Sequence, residues 1–246
     1  MALLQAVLLV ALFVLWWALV KTGTLREFFF GNPVLVLQQI AEWFTTGEIY
    51  THLVATLTET VLAFLGGVVL GVAAGLWLGL SAFTAALLDP FIKAMNAMPR
   101  VILGPIFIVW FGLGIGSKVA LGITLVFFVV FFNVFQGVRE VSPVILANAR
   151  MLGANRTQLL LTVYVPSAAS WVFSSLHTSV GMAFVGAVVG EYLGSARGVG
   201  YLILQAESTF DVNAVFAGIL VLTVFALLLD SAVSLVERRL VSWRHG

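Results

Sequence analysis

The chain has 246 residues and a formal net charge of +1; 61% of its residues are hydrophobic and only 9% are charged. A soluble domain carries about 25% charged residues, so this sequence cannot coat a water-facing surface, and for most of its length its solvent is lipid. The near-neutral charge gives no pointer to nucleic acid, and the lack of cysteine excludes disulfide and thiolate chemistry.

Residues 1–20, 60–88, 119–138 and 212–229 carry no charge, and 157–190 carries only His177. Each run supplies the roughly 20 apolar residues a bilayer-crossing helix needs, and none alternates as a membrane β-strand would. Six spanning helices are predicted, near 3–20, 54–80, 88–112, 118–137, 165–190 and 213–236. The first lacks the basic start and small-residue cleavage site of a signal peptide, so it reads as a retained span. Between the first two spans, FFFGNPVLVLQQIAEWF places Val34, Leu37, Ile40, Ala41 and Phe44 at helical spacing, the pattern of a short amphipathic helix along the membrane surface. The third span holds Asp89-Pro90, Lys93, Pro99-Arg100 and Gly104-Pro105 and is expected to be kinked or broken. Two readings fit it: a proline kink packed in the bundle, or a discontinuous helix beside a transport route.

The fourth and fifth spans are joined by a polar stretch ending in ANARMLGANRTQLLLTVYVP. Ser142-Pro143 suits a helix start, and Gly153 suits the left-handed residue that ends one after Leu152. Val144, Ala147 and Met151 form one stripe, flanked by Ile145, Ala149 and Leu152, while Asn148 and Arg150 point elsewhere. A further helix starts near Asn155, and Pro166 loosens its entry into the membrane. The periodicity alone leaves two readings, a plain surface connector or a docking helix that offers an apolar knob with an arginine to a groove on a partner. Arg139, Arg150 and Arg156 here, with Arg238, Arg239, Arg244 and His245 in the tail, set this side and both termini as cytoplasmic. The opposite side, with Glu191, Arg197, Glu207 and Asp211, is acidic on balance, and ARGVGYLILQAEST there predicts a glycine turn and a second interfacial helix.

The polar stretch resembles the Glu-Ala-Ala loop of the membrane subunits of ATP-binding-cassette importers. Ala149-Arg150-Met151-Leu152-Gly153 matches its middle and Val163-Tyr164-Val165-Pro166 its end. The departure lies at the start: Ala147 stands where the family has glutamate and Asn148 where it has alanine, so no salt bridge from that glutamate is available. LLDPFIKAMNAMPRVILGPIFIVWFGLG, VVGEYLGSARGVGYLI, NPVLVLQQI and HLVATL resemble stretches of the nitrate, sulfonate and taurine importer permeases, in the right order over roughly residues 30–240. The text from Gly186 onward looks closest to the pyrimidine-precursor and riboflavin branch.

The resemblance implies an all-α integral membrane protein of the type I importer permease fold, a single transmembrane domain over 1–246 with a cytoplasmic coupling helix at 143–154. It implies a homodimer in the bacterial inner membrane, docked on two ATPase subunits and fed by a periplasmic or lipid-anchored binding protein. Ala149, Arg150, Leu152, Gly153, Ala154 and Asn155 would form the contact with the ATPase. The solute would be small and polar, and ATP and Mg would be bound by the partner, with no cofactor on this chain.

Ionisable and polar groups inside spans mark candidate pathway residues: His177, Ser174, Thr178 and Met182 on the fifth span, and Met98 and Arg100 at the broken third. A neutral His177 suits an uncharged or weakly polar solute; a histidine hydrogen-bonded within the bundle is the competing reading. Asp230 reads as structural, paired with an arginine or a hydroxyl. Glu191, ending the fifth span on the outer side, is a candidate outer gate, a contact for a delivery protein, or a solvated end. The sequence contains no G-x-S-x-G nucleophile turn, no H-E-x-x-H and no P-loop, and its three histidines are scattered, so neither intramembrane catalysis nor ATP hydrolysis by this chain is expected. The competing class is a self-contained secondary transporter or channel of six helices.

Overall fold

The computed structural model describes residues 2–241, so Arg244 and His245 of the predicted basic tail lie outside it. Among the described residues there is no strand. Among the described residues five helices are long and apolar enough to cross a membrane, and one bent pair makes a sixth if it is counted as a single broken span.

Helix α1 (Ala2–Lys21) is exposed on nearly every side, as suits a span facing lipid. It touches the bundle near its C-terminal end, where Trp16 Nε1 donates to Phe30 O at 3.2 Å and its ring meets Phe216. A one-turn helix α2 (Glu27–Phe30) leads into α3 (Pro33–Thr46), whose Asn32 cap accepts from Val34 N at 3.0 Å with proline at the first position. A second apolar stripe of α3, sharing Ile40 with the predicted one, packs on the protein. Val36, Ile40 and Trp43 join a core with residues of the last helices, while Val34, Leu37 and Phe44 stay exposed. Both stripes are apolar, so periodicity alone could not say which met protein and which met lipid.

Helix α4 (Glu48–Leu80) and helix α7 (Ile115–Arg139) run parallel and form the spine of the molecule. Gly67, Gly71, Gly75 and Gly79, each four residues apart, face Val126, Val130, Val134 and Val138 in turn. A Cβ on Gly71 would lie 2.8 Å from the Val130 Cβ and 2.9 Å from the Phe127 carbonyl oxygen. Lipid tails are as apolar as leucine, so burial gives helices little reason to associate; close packing along a ridge of small residues does.

The predicted third span is broken. Helix α5 (Ala82–Ala97) and the segment Arg100–Phe111, a 3-10 turn (Arg100–Leu103) running into α6 (Gly104–Phe111), meet at 86°. The break falls where Pro99 bars its predecessor from helical geometry, and Met98 is accordingly extended, with ψ 132°. Pro90 lies inside α5 without ending it.

Beyond α7, helix α8 (Pro143–Met151) precedes α9 (Arg156–Leu159), a π turn (Leu160–Tyr164) and α10 (Val165–Ser174). In the π turn Val165 N reaches back five residues to Leu160 O just before Pro166, which has no N–H to give. Ser167 Oγ donates to Gly137 O at 2.8 Å, pinning α10 to the end of α7. The predicted fifth span is also interrupted: Ser175 separates α10 from α11 (Leu176–Leu193), and α11 is the part long enough to cross. Gly186 of α11 packs against Gly122 of α7, whereas Gly181 has open space beside it. Helix α12 (Val199–Ser208) lies buried along one side, beside α3 and α13 (Val212–Val241).

Candidate functional site

Helix α8 presents the feature least explained by the fold. Ser142 makes no side-chain cap, contrary to expectation; the first turn closes through Leu146 N to Ser142 O at 3.2 Å, with Pro143 at the first position. The helix ends at Met151, one residue early. Gly153 has φ 84°, a left-handed conformation costly for any residue with a Cβ, and its N–H donates to Arg150 O while Ala154 N donates to Ala149 O. Asn155 then caps α9 in a reciprocal pair with Gln158, both bonds 2.8 Å. The turn is therefore fixed on both sides, and no residue of α8 is buried. Val144 and Ile145 are exposed, and Met151 and Leu152 are 86% and 89% exposed. Arg150 is exposed too, and no carboxylate among the described residues pairs with it. The turn is thus capped on both sides while its large apolar side chains lie outside.

The predicted pathway residues separate into two groups. Ser174, Thr178 and Met182 lie four apart and form one exposed stripe along α10 and α11, continued by Val185. His177 lies a hundred degrees round the helix and is not on that stripe. Its Nδ1 pairs with Asp230 Oδ1 at 2.7 Å and its Nε2 with Glu237 Oε2 at 2.9 Å. Both carboxylates belong to α13, two turns apart. With a carboxylate oxygen at each ring nitrogen, His177 clasps α11 to α13, the hydrogen-bonded arrangement that competed with a pathway role in the sequence. Asp230 pairs with this histidine, where an arginine or a hydroxyl was expected. Because the clasp is partly exposed, each ion pair is worth about 1 kcal/mol at most. A double-mutant cycle of His177→Ala with Asp230→Asn, read by thermal melting, should give a coupling near that value; full additivity would show that the pair contributes nothing.

At the break in the third span, the Arg100 guanidinium sits over the Phe128 ring at 4.3 Å and donates to both Asn96 O and Asn96 Oδ1. Met98 beside it is exposed. Lys93 pairs with Asp89 one turn away, at 2.6 Å.

Glu191 lies in the last turn of α11, where the sequence put it, but its surroundings differ from those expected. It is 0% exposed, so it is neither a solvated end nor a surface contact. Thr56 Oγ1 donates to its Oε1 at 2.6 Å and Gly200 N to its Oε2 at 2.8 Å. The loop backbone can lie this close because Gly198 and Gly200 have no Cβ; at Gly198, whose φ is 110°, a side chain would collide with the carboxylate. Thr56 Oγ1 also accepts from Val199 N at 3.1 Å, and His52 Nδ1 lies 3.0 Å from Gly198 O. The carboxyl of Glu59 is within hydrogen-bonding reach of Glu191. Lys118, also 0% exposed, donates from Nζ to Leu113 O and Gly114 O, capping the turn between α6 and α7 beside both carboxyls. Five elements thus meet at one polar knot: α4, the α6–α7 turn, α7, α11 and the start of α12. Glu59, Lys118, Thr56 and His52 were not singled out from the sequence. The available signal was that Glu59 and Lys118 are ionisable residues within or at the edge of predicted spans.

The described residues thus form a multi-pass helical bundle with a broken span and a capped polar turn left uncovered. The chain belongs to the family of binding-protein-dependent transport system inner membrane components, which matches residues 67–242. It is 34% identical to a protein of Bacillus subtilis (strain 168) provisionally named an aliphatic sulfonates transport permease, over 94% of this chain and 84% of that one. It is 30% identical to the taurine transport system permease of Escherichia coli (strain K12), over 97% and 88% of the two chains. A riboflavin transport system permease of Chloroflexus aurantiacus is 31% identical, over 96% and 88%. The chain is accordingly a multi-pass inner-membrane permease of a bacterial importer, as its motifs implied.

Proposed function

We propose that this permease works as a homodimer whose α8 is the coupling helix, seated in a cleft of a separate ATPase subunit, one ATPase per copy. The α8 end, with both termini, is cytoplasmic, and a binding protein delivers solute at the α12 end. ATP and Mg are held by the ATPase, and this chain binds no cofactor. The observation that carries the reading is the uncovered α8 turn, with Met151 and Leu152 almost fully exposed between two helices that are themselves firmly packed.

Ala149, Arg150, Leu152, Gly153, Ala154 and Asn155 make the contact. Ala147 replaces the glutamate of the related loops, so docking rests on shape, apolar contact and Arg150. A push on α8 reaches α7 through Arg139–Ser142 and reaches α10 through the Asn155 cap. Those helices are tied to each other at Gly137 and Ser167, and α7 is locked to α4 along its glycine ridge. The unit α4, α7, α10 and α11 therefore moves as one body, and its rocking alternates access between the two sides.

The stripe of Ser174, Thr178 and Met182, facing away from this chain's own bundle, lines the route at the two-fold axis, with Met98 and Arg100 of the broken span beside it. His177 acts on the route indirectly, by holding α13. Glu191 serves an outer gate by anchoring the loop that precedes α12. The solute is small and polar, in keeping with the sulfonate, taurine and riboflavin permeases to which the chain is similar.

The test is Arg150→Glu and Gly153→Val in liposomes holding the permease with its ATPase and binding protein. Losing a charge-assisted contact or the left-handed turn should lower solute-stimulated ATP hydrolysis and uptake about ten-fold or more, since about 1.4 kcal/mol is a factor of ten. Melting of the permease alone should change little in Arg150→Glu, whereas Gly153→Val also strains the left-handed turn and should melt somewhat lower. Unaltered coupled uptake in both variants would remove α8 from the contact.

A further inference from the structure

At the break in the third span, Arg100 is a cation deep in the bundle with no carboxylate paired to it among the described residues. Its depth follows from the packing of α7 and α11, which run antiparallel with Gly190 on Lys118 and Gly186 on Gly122. One further turn puts Met182 level with Val126. The Arg100 guanidinium stands over the ring of Phe128, near the midpoint of α7, and so within about one turn of Met182 in height. We infer that Arg100, with the amide of Asn96, binds an oxyanionic group of the solute as it crosses, so that the permease selects for sulfonate- or carboxylate-bearing solutes.

The first support is the lack of a counter-charge. A charge at this depth is costly, and where it is retained it meets a partner of opposite sign or marks a route. Lys118 has Glu59 and Glu191 beside it, and His177 has Asp230 and Glu237. Arg100 has neutral partners alone: the Asn96 carbonyl oxygens, main-chain and side-chain, and the Phe128 ring.

The second support is what those partners leave over. Both bonds to Asn96 come from Nη2, and Nε is buried, so Nη1 of the partly exposed side chain is the nitrogen left for a ligand. The guanidinium takes up Asn96 Oδ1, and the Nδ2 of this exposed amide makes no hydrogen bond among the described residues. Two donors thus lie side by side with their acceptor already used, a set that recognises an oxyanion and repels a cation. Stapling the break needs the Nη2 bonds only; the positive charge and Nη1 are surplus to that role.

The inference rests on the placing of the broken span beside the route, and the test separates the two. The chain has no cysteine, so Met98→Cys sets a single thiol at an exposed position two residues from Arg100. The full-length chain in nanodiscs is treated with two reagents that cannot enter lipid, sulfonatoethyl and trimethylammonioethyl methanethiosulfonate. The rate ratio of the sulfonate to the ammonium reagent should fall about ten-fold or more when Arg100→Gln is added. Methanesulfonate at constant ionic strength should slow the modification while Arg100 is present, and dimethyl sulfone, neutral and similar in shape, should not. A ratio indifferent to Arg100, or equal protection by methanesulfonate and dimethyl sulfone, removes the anion site and leaves the route standing. A thiol at 98 that neither reagent reaches takes the break off a water-filled route, and the proposal falls with it. The protection comparison keeps Arg100 in place, so it decides the matter even if Arg100→Gln does not fold.

Discussion

Gly75→Leu is expected to prevent the permease from folding to a stable, monodisperse state in detergent. The added Cβ alone would lie 2.7 Å from the Val134 Cβ and 2.9 Å from the Phe131 carbonyl oxygen, and the rest of the side chain has nowhere to go. Backbone cannot yield as a side-chain tip can, so α4 and α7 must part. Overpacking a tight interface costs about 1–3 kcal/mol when neighbours can adjust, and here the ridge runs through Gly67, Gly71 and Gly79 as well, so separation at one rung loosens all four. Gly75→Ala should cost less, and pairing it with Val134→Gly should recover part of the loss because the nearest atoms are the Val134 Cβ and Cγ1, at 2.7 and 2.8 Å. Size-exclusion profile and melting temperature measure this. A well-folded Gly75→Leu protein would mean that α4 and α7 are not in this contact.

The second large effect is expected at Glu191. Glu191→Leu is close in size but removes the acceptor for both Thr56 Oγ1 and Gly200 N, and it leaves Lys118 with one carboxyl fewer. Breaking a buried network by deleting one partner costs about 3–5 kcal/mol, because the groups left behind stay desolvated and unpaired. The loop that precedes α12 should detach first, since the carboxylate ties Gly200 directly and Val199 through Thr56. Glu191→Gln keeps an acceptor and the shape, and should retain much more stability. Amide hydrogen exchange across 194–206 separates the cases: fast exchange in Glu191→Leu with protection near normal in Glu191→Gln is the expected result. Equal behaviour of the two variants would reduce Glu191 to a space-filling residue.

Features set by local sequence were legible, and features set by partners far along the chain were not. The spans followed from uncharged length, the break in the third from Pro99 and the glycine–proline pair after it, and the polar turn from Pro143, Gly153 and Asn155. Each depends on residues a few positions apart. The 86° bend was not legible, because proline forbids helix at Met98 without saying where the chain turns next. The interruption at Ser175 was hidden because serine is tolerated inside helices and nothing beside it is a breaker. His177 shows the limit clearly. An ionisable residue in an apolar run demands a partner, but Asp230 lies 53 positions away and periodicity does not connect them. Thr56 and Glu191, 135 apart, are the same problem at greater range. The glycine spacing in α4 was there to be read as a packing ridge; what the sequence lacked was the identity of the helix that fills it.

The exposed α8 turn, as the place where a separate motor grips this permease, is tested most directly by chemical cross-linking. The chain has no cysteine, so a single introduced thiol reports one position. Met151→Cys or Leu152→Cys should cross-link to the ATPase subunit in assembled membranes and lose reactivity toward a soluble maleimide on assembly, while Val109→Cys, exposed on α6, should do neither. Thiols at 151 and 152 that stay freely reactive in an active, assembled transporter would contradict the account.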